Sequence, residues 1–71
     1  MTKMEINLIR DCLDCIEYAE ECLVRGRAKK ALWEEIGEKE KTAEYAKDVA
    51  MWEHMIEKNK EEIKSLLQCL C

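Results

Sequence analysis

The segment TAEYAKDVAMWEHMIEKNKEEIKSLLQCL, residues 42–70, decides the fold. Thr42, Tyr45, Val49, Trp52, Ile56, Asn59, Ile63, Leu66 and Leu70 follow one another in alternating steps of three and four. Written as a heptad, Thr42, Val49, Ile56, Ile63 and Leu70 fall at a, and Tyr45, Trp52, Asn59 and Leu66 at d. Seven of these nine are apolar or aromatic, a narrow seam at period ~3.5 that marks a helix packed along another helix. Of the two polar exceptions, Thr42 stands at the start of the seam and Asn59 sits roughly opposite Cys15 in an antiparallel hairpin. A buried amide there costs stability but fixes register.

The upstream half supplies the partner. Thr2 and Glu5 form a capping box, in which each side chain accepts from the other residue's backbone N–H. Helix 1 therefore begins near Lys3. Its apolar stripe holds Ile6, Leu8, Ile9, Cys12, Leu13, Cys15, Ile16, Ala19, Cys22 and Leu23, broad enough to touch more than one neighbour. Cys12, Ala19 and Gly26 recur at seven residues, a line of small side chains open to a second backbone.

Two glycines compete as the turn. Gly26, followed by Arg27, Lys29 and Lys30, reads either as a helix stop or as a tolerated interior residue. Gly37 divides the chain into two arms of about 45–50 Å each. The expected fold is all-α and a single domain over residues 1–71. It is a long antiparallel hairpin with helix 1 over about 3–36, kinked or broken near 26, and helix 2 over about 40–69. Thr42 is a candidate N-cap. Three helices, with breaks at both glycines, are the rival. The wide stripe of helix 1 exceeds what a narrow seam can cover, so a homodimer or higher oligomer, closed as a helical bundle, is expected.

Composition bounds the function. The chain has 71 residues, no Pro, two Gly and a net charge of −4. A core of this size supplies only ~3–5 kcal/mol. No apolar run is long enough to span a membrane, and the charged N-terminus shows no export signal. With five cysteines, an odd number, a reducing cytoplasm is the expected compartment. Nucleophile, base and oxyanion-stabilising groups do not cluster, so no enzyme activity and no cofactor are expected.

Four features invite a site. Arg25, Arg27, Lys29 and Lys30, beside Trp33, form a basic patch suited to a phosphate or nucleotide-like anion, or simply to the negative end of a helix. It is too short, in an acidic chain, for nucleic acid. His54 lies at f, away from the seam, as a solvated residue, with Glu57 a conceivable metal partner. Cys69 and Cys71 form a tail pair that can chelate or oxidise at a fraying end.

Cys12, Cys15 and Cys22 lie within roughly 80° of arc, and the first two are one turn apart, close enough to share a soft cation. The run Cys12-Leu13-Asp14-Cys15-Ile16-Glu17-Tyr18-Ala19-Glu20-Glu21-Cys22 resembles the cysteine-lined helices of cytosolic copper storage proteins, four-helix bundles that hold Cu(I) on inward-facing thiolates. That resemblance implies soft-metal binding, Cu(I) or Zn²⁺, by these three residues. Ala19 stands where the cysteine pattern would continue. The competing reading makes all three small buried apolar residues.

The leading expectation is a small protein-binding module, regulator or inhibitor, working through helix–helix packing with itself and another protein. Its contact face is assigned to Leu8, Ile9, Cys12, Cys15, Ile16, Ala19, Leu23, Trp52, Ile56 and Ile63. Sequestration of an anionic ligand between subunits, and soft-metal binding, are the alternatives.

Overall fold

A computed structural model describes residues 2–69; Met1, Leu70 and Cys71, and with them the end of the seam and one member of the tail pair, lie outside. Two helices account for nearly all of it: α1, Lys3–Ile36, and α2, Lys39–Gln68. They form an antiparallel hairpin measuring 51 × 14 × 12 Å.

Local chemistry sets both ends of α1. Thr2 is extended, its hydroxyl accepts from the Glu5 N–H at 3.2 Å, and the Glu5 carboxylate accepts from the Thr2 N–H at 3.3 Å. The expected capping box is present. At the other end Gly37 adopts φ 90°, ψ 15°. Its N–H donates to Glu34 O at 3.2 Å and the Glu38 N–H to Trp33 O at 3.0 Å, the paired bonds of a Schellman stop. That left-handed conformation suits Gly because it has no Cβ.

Gly26 is not a stop. α1 passes through it, so the three-helix alternative is not adopted. The residue is buried, and a Cβ built there would lie 3.3 Å from Val49 Cγ2. Glycine lowers helix propensity by about 1 kcal/mol relative to Ala, and here it permits the close passage of α2.

α2 begins one turn before the expected cap. Its N-cap is Glu38, with no side-chain cap bond. Thr42 lies inside the helix, where its hydroxyl donates to Glu38 O at 2.8 Å. The extended Glu38 leaves the Gly37 turn already committed to helix. A threonine four residues on can then only bond back to the preceding turn.

The two helices meet along matched lines. On α1 most of the less exposed positions, Glu5, Ile9, Cys12, Ile16, Ala19, Leu23, Gly26, Lys30 and Trp33, again follow steps of three and four, with Cys22 lying off that line. With Gly26 against Val49, stepping both lines toward the open end pairs Leu23 with Trp52, Ala19 with Ile56 and Ile16 with Asn59. Ala19, Leu23 and Ile56 are the buried hydrophobic centre, with Ile16, Val49 and Trp52 packed against it. Near the turn, cations replace apolar contacts: Lys29 Nζ stands 5.7 Å from the Tyr45 ring centre and Lys41 Nζ 4.7 Å from that of Trp33. Each such contact at an exposed site contributes about 0.5–1 kcal/mol.

Two stability changes follow. Ile56→Ala removes a central side chain and is expected to cost about 2–4 kcal/mol. Urea titration followed by circular dichroism checks it; a loss near zero contradicts this assignment of the core. Gly37→Ala is expected to cost about 1 kcal/mol through the left-handed backbone alone, with helix content retained.

Candidate interaction surface

A helix that uses one line of residues against its neighbour leaves its flanks to solvent. Most of the assigned contact face is consumed inside the hairpin. Ile9, Cys12, Ile16, Ala19, Leu23, Trp52, Ile56 and Ile63 all lie on the two facing lines. Leu8 and Cys15 do not; both are exposed. The sequence pattern shows apolar width, but it does not say which part of that width the partner helix takes.

The surface left over is large. Among the described residues eleven large hydrophobic side chains are exposed, against three hydrophobic residues buried. Their distribution differs between the two broad sides of the hairpin. One side is charged at its centre: Arg27 pairs with Glu53 at 3.5 Å, and Glu20, Glu57 and Lys60 line the same groove. On the other side Tyr18, 61% exposed, meets Trp52 edge-on, with ring centres 5.7 Å apart and planes at 77°. Cys22 and Trp52 border one shallow groove there, and Cys12, Cys15 and Met55 border the next.

That aromatic and sulfur-bearing side carries a second line of α1. Met4, Leu8, Asp11, Cys15, Tyr18, Cys22, Arg25, Lys29, Leu32 and Ile36 also alternate steps of four and three. The line is detectable in the sequence. Asp11, Arg25 and Lys29 interrupt its hydrophobicity and the inner line interleaves with it, so it merges into one broad stripe. The structure separates the two by burying the first.

The basic patch is divided between the sides. Arg27 faces Glu53, whereas Arg25 and Lys29 line a groove with Asp48 and Tyr45. Lys30 is half-buried on the inner line. At ~100° per residue, four cations within six positions necessarily spread around the helix.

The cysteines likewise occupy different environments. Cys12 is half-buried and its thiol is pushed above its ordinary range, first by desolvation and then by the negative charges of Glu62 and Asp11 and the neighbouring Cys15. Such surroundings favour the neutral thiol over the thiolate that a soft metal requires. The Cys22 thiol, one turn along α1, holds the Tyr18 phenol above its usual range. Among the described residues no three His, Cys, Asp or Glu side chains are placed to hold a metal ion. His54 is exposed and borders a groove with Glu57 and Glu61.

Asn59 is half-buried and donates from Nδ2 to Met55 O at 2.8 Å. It satisfies itself within α2 while bordering the same groove as Cys15. No helix among the described residues is long and apolar enough to cross a membrane. No protein-family model matches the chain, and no characterised protein or solved structure is significantly similar to it.

The Cys12 environment generates a chemical test. Iodoacetamide labelling of Cys12, read by peptide mass spectrometry, is expected to have its pH midpoint above that of a free thiol. Glu62→Gln removes a nearby negative charge, stabilises the thiolate and shifts the midpoint down. An unmoved midpoint contradicts the electrostatic contribution.

Proposed function

We propose that this chain is a non-catalytic interaction module that regulates or inhibits by helix–helix packing and works as an oligomer. The excess of exposed over buried hydrophobic residues supports the reading most directly. A hairpin with so small an internal core gains stability when its outer apolar lines are covered by another helical surface. Aromatic and thioether side chains such as Tyr18, Met51 and Met55, all exposed, suit that contact. Rings bury much area at little entropy cost, and Met adapts its shape to the surface it meets.

The elongated form supports the same reading. A hairpin 51 Å long presents continuous helix faces, and its grooves are shallow and solvent-open, unlike the concave sites that enclose small molecules. Free thiols at Cys12, Cys15, Cys22 and Cys69 fit the proposed setting, a reducing cytoplasm. Mass action provides the test. The thermal midpoint of an oligomer is expected to rise with protein concentration over about a hundredfold range, with sedimentation giving the mass. A constant midpoint together with a monomeric mass overturns the oligomeric reading.

A further inference from the structure

The outer line of α1 has a pattern that the inner line lacks. Read from its centre between Tyr18 and Cys22, it is self-complementary on reversal. Tyr18 and Cys22 exchange places, Asp11 exchanges with Lys29, Leu8 with Leu32, and Met4 with Ile36. Only the Cys15 and Arg25 layer pairs unlike chemistry. Lys29 stands as far above the centre as Asp11 stands below it, and Arg25, one turn nearer the centre, adds a second cation within reach of the same carboxylate.

We infer that the occupant of this face is a second copy of the chain, its α1 lying antiparallel across α1 about a two-fold axis between Tyr18 and Cys22. The inference rests on the proposed oligomeric role and specifies its face, direction and register. A two-fold axis brings each residue against the reversed sequence of its own line. Asp11 of each copy then meets Arg25 and Lys29 of the other, twice over. Apolar layers flank these charges at both ends, and the Tyr18 and Cys22 layers lie at the middle.

Charge decides the direction. Parallel pairing along the same line places Asp11 on Asp11, Arg25 on Arg25 and Lys29 on Lys29, which repels at every charged layer. Within the hairpin these groups are available. The ion pairs among described residues are Arg27–Glu53, Lys60–Glu57 and Lys64–Glu61, so neither Asp11 nor Arg25 is engaged in one. Lys29 rests near the Tyr45 ring, on the same groove as Arg25. The α2 edge of this side adds Met55 near the centre. Its charges, Asp48, Lys58 and Glu62, have no comparable reversal symmetry, so α1 sets the register.

A charge-exchange experiment tests the pairing. Asp11→Lys alone and Arg25→Glu with Lys29→Glu together each turn both charge clusters repulsive in a homodimer. Each is expected to weaken self-association about tenfold or more. Mixing the two variants restores opposite charges at both clusters, and a heterodimer should form at wild-type strength in sedimentation equilibrium. Circular dichroism verifies that each variant is helical, and recovery on mixing separates lost pairing from lost folding.

Three results overturn the inference in distinguishable ways. If wild-type protein is monomeric, both this pairing and the oligomeric role fail. If it is dimeric but indifferent to the charge changes, the face and register fail while the oligomeric role stands. If the variants dissociate and mixing does not restore association, the charges act within one chain and the antiparallel pairing fails.

Discussion

The close passage of α1 and α2 where Gly26 faces Val49 and Ala19 faces Ile56 governs the rest of the molecule. Ala19 is fully buried, and the missing side chain at Gly26 leaves only 3.3 Å between the place of a Cβ and Val49 Cγ2. Small residues on one helix let large ones on the other, Val49, Trp52 and Ile56, reach its surface. Distance and register follow from that fit. Once Gly26 lies against Val49, the alternating spacing carries every other layer with it.

This constraint also determines what remains outside. A helix of ~3.6 residues per turn offers a two-helix contact only a narrow line. Buried on that line, Ala19 and Leu23 are unavailable to any partner, and Ile16, partly buried, packs against them. Leu8, Cys15 and Tyr18, one step around the helix, become the surface. The hairpin is therefore two-sided, with an ion pair at the centre of one broad side and aromatic, thiol and thioether groups on the other. The proposed function follows from that asymmetry, and the inferred self-pairing from the order of charges along its apolar side.

Features legible in the sequence are those determined by near neighbours. The Thr2–Glu5 capping box spans three residues and needs no tertiary information. The α2 seam from Thr42 to Leu66 is visible because each of its residues meets the same neighbouring helix. Arm length favours a turn at Gly37, although Gly26 competes with it on local grounds. Thr42 misleads as a cap because capping depends on where the preceding turn releases the chain. The Glu38 backbone, extended after Gly37, starts the helix earlier.

Sequence alone therefore determined an all-helical chain, two glycines competing for its turn, the facing line of α2 and a surplus of apolar surface on α1. Periodicity and capping are local, and they survive reading one residue at a time. Only the tertiary structure decided which of the two interleaved lines of α1 is inner, that Gly26 is a packing position within a continuous helix, and that the four cations divide between opposite sides. Those outcomes depend on the rotation of one helix about its axis relative to the other. A broad stripe permits several rotations, and the Gly26–Val49 and Ala19–Ile56 layers select one.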